Sequence, residues 1–190
     1  MGAIRDDAIK GFNAFLAEQK ALPGEARLTL VLFDDQYEVA VEHTDLQAVE
    51  PLTRQTFVPR GSTALFDAMG RTIDEVGQRL AKTSEDERPS KVVVVTLTDG
   101  HENASVKFSE RDVFDRVAHQ RDVYCWDFVF LAADQDAIAT AARLAIDAAN
   151  AIDFRSDADG TAMAFAAMSR FVSATRVPPK RKCRRGSDEA

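Results

Sequence analysis

The run Lys91 to Thr98 (KVVVVTLT) restricts the fold more than any other part of the chain. Its residues are β-branched and apolar, and they do not alternate with polar ones. A strand with one wet face alternates; a strand without alternation is covered on both faces. The run is therefore expected in the middle of a parallel sheet with helices on either side. Arg27 to Phe33 (RLTLVLF) and Val123 to Leu131 (VYCWDFVFL) have the same character, and Ala151 to Phe154 reads as a further short strand. Asp34-Asp35-Gln36 is turn chemistry, so Tyr37 to Val41 is expected to fold back on Arg27 to Phe33 as an antiparallel hairpin.

Helical spacing fills the intervals. Ile9, Phe12 and Leu16 mark an amphipathic helix over residues 4 to 20, closed by Pro23-Gly24. Leu65, Met69, Thr72, Val76 and Leu80 mark a second, after a polar loop over residues 43 to 62. Ser109 with Asp112 resembles a capping box and opens a third, to about Gln120. Asp136 to Leu144 is a short helix, with Asp134 and Asp136 as expected caps. Phe165, Met168 and Val172 share one face of a last helix that opens at Asp159-Gly160-Thr161 and stops before Pro178-Pro179. Strands alternating with helices predict an α/β fold. The expected form is a doubly wound, Rossmann-like, mostly parallel sheet with one antiparallel hairpin at its edge. One domain is expected over residues 1 to 175, with residues 176 to 190 a disordered tail.

Composition removes several function classes. A formal net charge of −7 argues against nucleic acid as the main partner, since phosphate contacts need a basic face. The basic run Lys180 to Arg185 is read as a solvated tail capable only of weak contacts of that kind. No stretch approaches the roughly 18 apolar residues that span a bilayer, and the N-terminus lacks an apolar signal core. A cytoplasmic protein with no membrane partner is expected. Cys125 and Cys183 are expected as unpaired thiols, and no Cys-x-x-Cys pair suggests zinc. Trp126 is expected in the core.

In parallel α/β sheets, ligands bind beyond the carboxyl ends of the strands. The strongest strand leads into Thr98-Asp99-Gly100-His101-Glu102-Asn103, and Gly61-Ser62-Thr63-Ala64-Leu65 opens the helix before it. Taken alone, Asp99 is a turn residue and Thr63 a helix N-cap. His101-Glu102 lacks the second histidine of a zinc-protease helix. Gly-x-Ser-x-Gly, phosphate-loop and Gly-x-Gly-x-x-Gly motifs are absent from the sequence, so an enzyme, such as a metal-dependent hydrolase using Asp99 and His101, has little support.

In their order and placement, these two segments resemble the second and third parts of the metal-ion-dependent adhesion site of von Willebrand factor A domains. Phe128-Val129-Phe130-Leu131 followed by Asp134-Gln135-Asp136-Ala137 is similar to small single-domain bacterial and phage members. The resemblance covers about residues 1 to 175. It implies a protein-interaction module, not an enzyme, in which Thr63 and Asp99 are metal ligands and Ser62, Gly100, Glu102 and Asn103 form the rim. Mg²⁺ or Mn²⁺ is the implied cofactor, and an acidic side chain of a protein partner completes the coordination.

The family's first part, an Asp-x-Ser-x-Ser loop after a central strand, has no counterpart in the sequence. Met1-Gly2 matches the end of that loop. Metal binding by this chain is therefore expected to be weak or absent, because Mg²⁺ wants about six oxygens in near-octahedral array. The corresponding strand would sit between Arg27–Phe33 and Lys91–Thr98, leaving both with exposed backbone ladders. Either Met1 is an internal methionine of a longer chain, or the domain is unstable, rearranged or completed by a partner's strand. A degenerate scaffold without metal, or a truncated remnant, is the alternative function.

Overall fold

A computed structural model describes residue 2 and residues 4–134 and 136–176. The elements follow the expected alternation. They are α1 (Arg5–Ala21), β1 (Arg27–Phe33), β2 (Tyr37–Asp45), α2 (Leu65–Ala81), β3 (Val93–Thr98), α3 (Glu110–Tyr124), β4 (Asp127–Ala133), α4 (Ala137–Arg143), β5 (Ala151–Phe154) and α5 (Ala158–Arg176). The proposed tail lies outside the described residues except for Arg176, which ends α5.

The fold is α/β, with five strands in two separate sheets among the described residues. The antiparallel pair β1–β2 is the expected hairpin, with Phe33 opposite Tyr37. Its turn is held by Asp34, whose N–H donates to the Gln36 carbonyl at 3.1 Å and whose carboxylate accepts from the Gln36 N–H at 2.6 Å. The second sheet is parallel, in the order β3-β4-β5. Here β4 is the middle strand, not β3 as expected. Every residue of β4 from Phe128 to Ala133 is buried, whereas β3 is mostly half-buried and forms one edge.

Alternation along β4 sorts the core into two layers. Val129, Leu131 and Ala133 pack against α1 and α5, with Phe12, Leu16 and Phe165. Phe128, Phe130 and Ala132 pack against α2, α3 and α4, with Ile73, Val117 and Ala141. Both faces of the parallel sheet are thus dry, which is what its unbroken apolar runs require. Trp126 is buried, as expected, against Phe128.

Four points differ from the reading of the sequence. The apolar run from Val123 is divided: Val123 and Tyr124 end α3, Cys125 caps it in a left-handed conformation (φ 54°), and the strand starts at Asp127. An apolar run alone does not mark where a buried helix yields to a buried strand. Cys125, expected as an unpaired thiol, is disulfide-bonded; Cys183 lies outside the described residues. The second strand extends beyond Val41 to Asp45, past an irregularity in its pairing near Leu30 and a left-handed His43 (φ 45°). Of the expected caps on α4, Asp136 accepts from the Ala139 N–H at 2.8 Å, but Asp134 turns to the Ser156 N–H.

No helix among the described residues is long and apolar enough to cross a membrane.

Candidate functional site

The loops carrying Thr63 and Asp99 come together. The Asn103 N–H donates to the Thr63 carbonyl at 3.0 Å, and the Thr63 N–H donates to Asn103 Oδ1 at 2.9 Å. This reciprocal pair fixes the two segments side by side. The approach is closest at Gly100: a Cβ there would lie 2.5 Å from Thr63 Oγ1, so only glycine leaves the threonine hydroxyl its place. Asp99, half-buried, precedes that glycine, and Thr98 closes the strand end by accepting the Gly100 N–H at 3.2 Å. The expected ligand pair, Thr63 and Asp99, therefore shares one corner at the carboxyl end of β3, and Ser62 lies on the same cavity wall.

Thr63 is not the N-cap of α2. Ala64 occupies that position and offers no side-chain bond. The first N–H groups of a helix need acceptors, and here they come from the other loop. Phe66 donates to Glu102 Oε2 at 3.0 Å, and Asp67 donates to Ser105 Oγ at 3.0 Å. Thr63 is thereby released from capping.

Glu102 and Asn103, expected at the rim, are latches. Glu102 also accepts from the Ala104 N–H at 2.9 Å, the Ser105 N–H at 2.7 Å and the Ser105 hydroxyl at 2.7 Å. Burial works against its charge, but the Ser105 and Phe66 N–H groups, the Ser105 hydroxyl and the Ala104 N–H outweigh it. Its carboxyl is held below the usual glutamate range. Its oxygens point at backbone donors; His101 is exposed beside it.

Two carboxylates that the sequence did not single out shape the same end. Asp67 accepts three successive N–H groups, Val106 at 3.0 Å, Lys107 at 2.9 Å and Phe108 at 2.8 Å. Burial opposes its charge and these donors prevail, so its pKa is lowered. Asp34, buried at the end of β1, pairs with Arg60. Burial again opposes, and Arg60 with the Gln36 N–H turns the balance toward the ionised form. The Asp34 carbonyl accepts the Ala64 N–H at 2.7 Å, so the end of β1 reaches the same corner. An acid in a first helical turn (Asp67) and an Asx turn (Asp34) were the signals available; their long-range partners were not.

The donor set is small for a resident divalent cation. Glu102 is saturated by backbone groups, Asn103 Oδ1 by Thr63 and Asp34 by Arg60. Among the described residues, no group of three or more His, Cys, Asp or Glu side chains is placed to hold a metal ion. The Thr63 hydroxyl and the Asp99 carboxylate do not by themselves fit firm Mg²⁺ binding. Neither a protein-family model nor a curated protein matches this chain.

Proposed function

We propose that the chain is a von Willebrand factor A-like, doubly wound domain that acts as a protein-interaction module rather than an enzyme, through the corner formed by Thr63 and Asp99. The observation that supports this most is the stitching of the two loops. Two reciprocal hydrogen bonds and a glycine whose Cβ would displace the Thr63 hydroxyl bring that hydroxyl and the Asp99 loop, 36 residues apart, to one strand end. Such an oxygen pair holds a cation loosely and leaves most of its coordination to others. An acidic side chain of a protein partner is the natural further ligand, so cation and partner would bind together. Mg²⁺ or Mn²⁺ alone is held weakly, and firm binding needs oxygens beyond those described here.

Mn²⁺ titration followed by paramagnetic broadening of amide resonances tests the reading. Weak, saturable broadening centred on Thr63, Asp99 and Gly100, lost in Asp99→Ala, is expected. Broadening elsewhere, or none at this corner, would refute it.

A scaffold without metal is the second reading. It draws on the engagement of Glu102, Asn103 and Asp34 by protein donors, which leaves the corner poor in ligands.

A further inference from the structure

Asp34 closes the segment before α2 into a ring. Its carboxylate pairs with the Arg60 guanidinium at Nε, and its carbonyl accepts the Ala64 N–H at 2.7 Å. Through its other carboxylate oxygen it accepts the Gln36 N–H at 2.6 Å, so the β1–β2 turn holds it as well. The Asp34 side chain is only 6% exposed, whereas that of Arg60 is 40% exposed. A buried acid thus fixes one edge of the guanidinium and leaves the rest of it at the surface.

Between the two points of attachment lie donors without acceptors. Arg60 engages Asp34 through Nε alone, so both its Nη groups are unengaged among the described residues. The same holds for the Gly61 and Ser62 N–H groups and for the Ser62 and Thr63 hydroxyls. Space beside Gly61 is open, with no atom within 4 Å of where a Cβ would lie. Donors held in place with no acceptor of their own are what an oxyanion needs.

The surrounding charge narrows the choice of oxyanion. Asp34, Asp35 and Glu38 all act on the Arg60 guanidinium, and Asp99 lines the same cavity wall. These carboxylates repel a dianion more than a monoanion, which disfavours phosphate. A carboxylate carries one charge, and it matches the planar guanidinium fork with two parallel bonds.

We propose that Arg60, together with the Ser62 and Thr63 hydroxyls of the same loop, receives an acidic side chain of a protein partner directly. The corner is poor in metal ligands because its cation is a side chain. The proposal rests on the reading of this corner as the place where a partner's acid docks, and departs from it in needing no metal.

The test is run on the full chain in chelator, with amide and arginine Nε–H resonances followed by NMR. The probe is a capped tripeptide with glutamate between two alanines, beside its glutamine counterpart and inorganic phosphate. Saturable shifts of the Gly61 and Ser62 amides and of Arg60 Nε–H are expected with the glutamate peptide. They are absent with glutamine and smaller with phosphate at equal concentration. Arg60→Met removes them. Arg60→Lys keeps the charge without the fork and weakens binding about tenfold, while unchanged β4 resonances report an intact fold. The proposal is overturned by a parent chain without saturable shifts, by equal binding of the two peptides, or by tighter binding of phosphate. An Arg60→Lys chain with an intact fold that binds as well as the parent also overturns it. The Mn²⁺ titration without chelator is a separate measurement, so the metal reading and the Arg60 reading can each fail alone.

Discussion

Glu102 shows how a residue next to a binding corner serves by holding it. Its four donors come from its own loop and from the start of α2, so removing the carboxylate unpins both segments. Glu102→Ala is expected to destabilise the fold by about 2–3 kcal/mol and Glu102→Gln by about 1–2, since hydrogen bonds to charged groups are the stronger ones. Urea denaturation at neutral pH measures both. The sign of the pH dependence follows from the lowered pKa values of Glu102, Asp67 and Asp34 in the folded chain. A depressed carboxyl stabilises the native state above its unfolded pKa and loses that contribution as pH falls through the folded one. Stability therefore declines on acidification, and Glu102→Gln shows a shallower decline than the parent. Gly100→Ala places a methyl group against Thr63 Oγ1. It is expected to cost about 1–3 kcal/mol, as overpacking does, and to shift the Thr63 amide resonance. An unshifted Thr63 would separate the two loops.

Among the elements, those whose signal is local were legible in the sequence. The Ser109–Asp112 capping box is present with both its bonds. The β1–β2 turn and the face of α5 also fall where spacing puts them, while the face of α2 centres on Leu65, Met69 and Ile73 rather than on Thr72. What escaped was set by partners distant in the chain. Phe165 was assigned to the inner face of α5, but nothing in its neighbourhood indicates that its ring fills the space above Gly11, where a Cβ would lie 2.2 Å from it. Gly11→Ala should force α1 and α5 apart and destabilise by about 1–3 kcal/mol, read as a lowered thermal midpoint. Adding Phe165→Leu should return part of that loss, because the two changes share one contact. The candidate site divides the same way. That the Thr63 and Asp99 loops meet was legible from strand order and motif, whereas Asp67 and the latching role of Glu102 depend on loop backbone that no spacing encodes.

For the whole molecule, the consequence of composition is a chain with more buried-strand sequence than its sheets employ. β1 and β3 are both written for two covered faces, yet they remain half-buried edges, and the cavity between them ends at the corner where Thr63 and Asp99 meet. The Thr63–Asp99 corner thus lies at one end of the space between the two sheets. Native-state hydrogen exchange on the isolated chain, resolved residue by residue, tests this directly. Within β1 and β3, amides bonded to β2 and β4 should be protected while the alternate amides facing the cavity exchange quickly, with β4 protected throughout. Uniform slow exchange along both strands would mean that they are already paired on their second edges, contradicting two separate sheets.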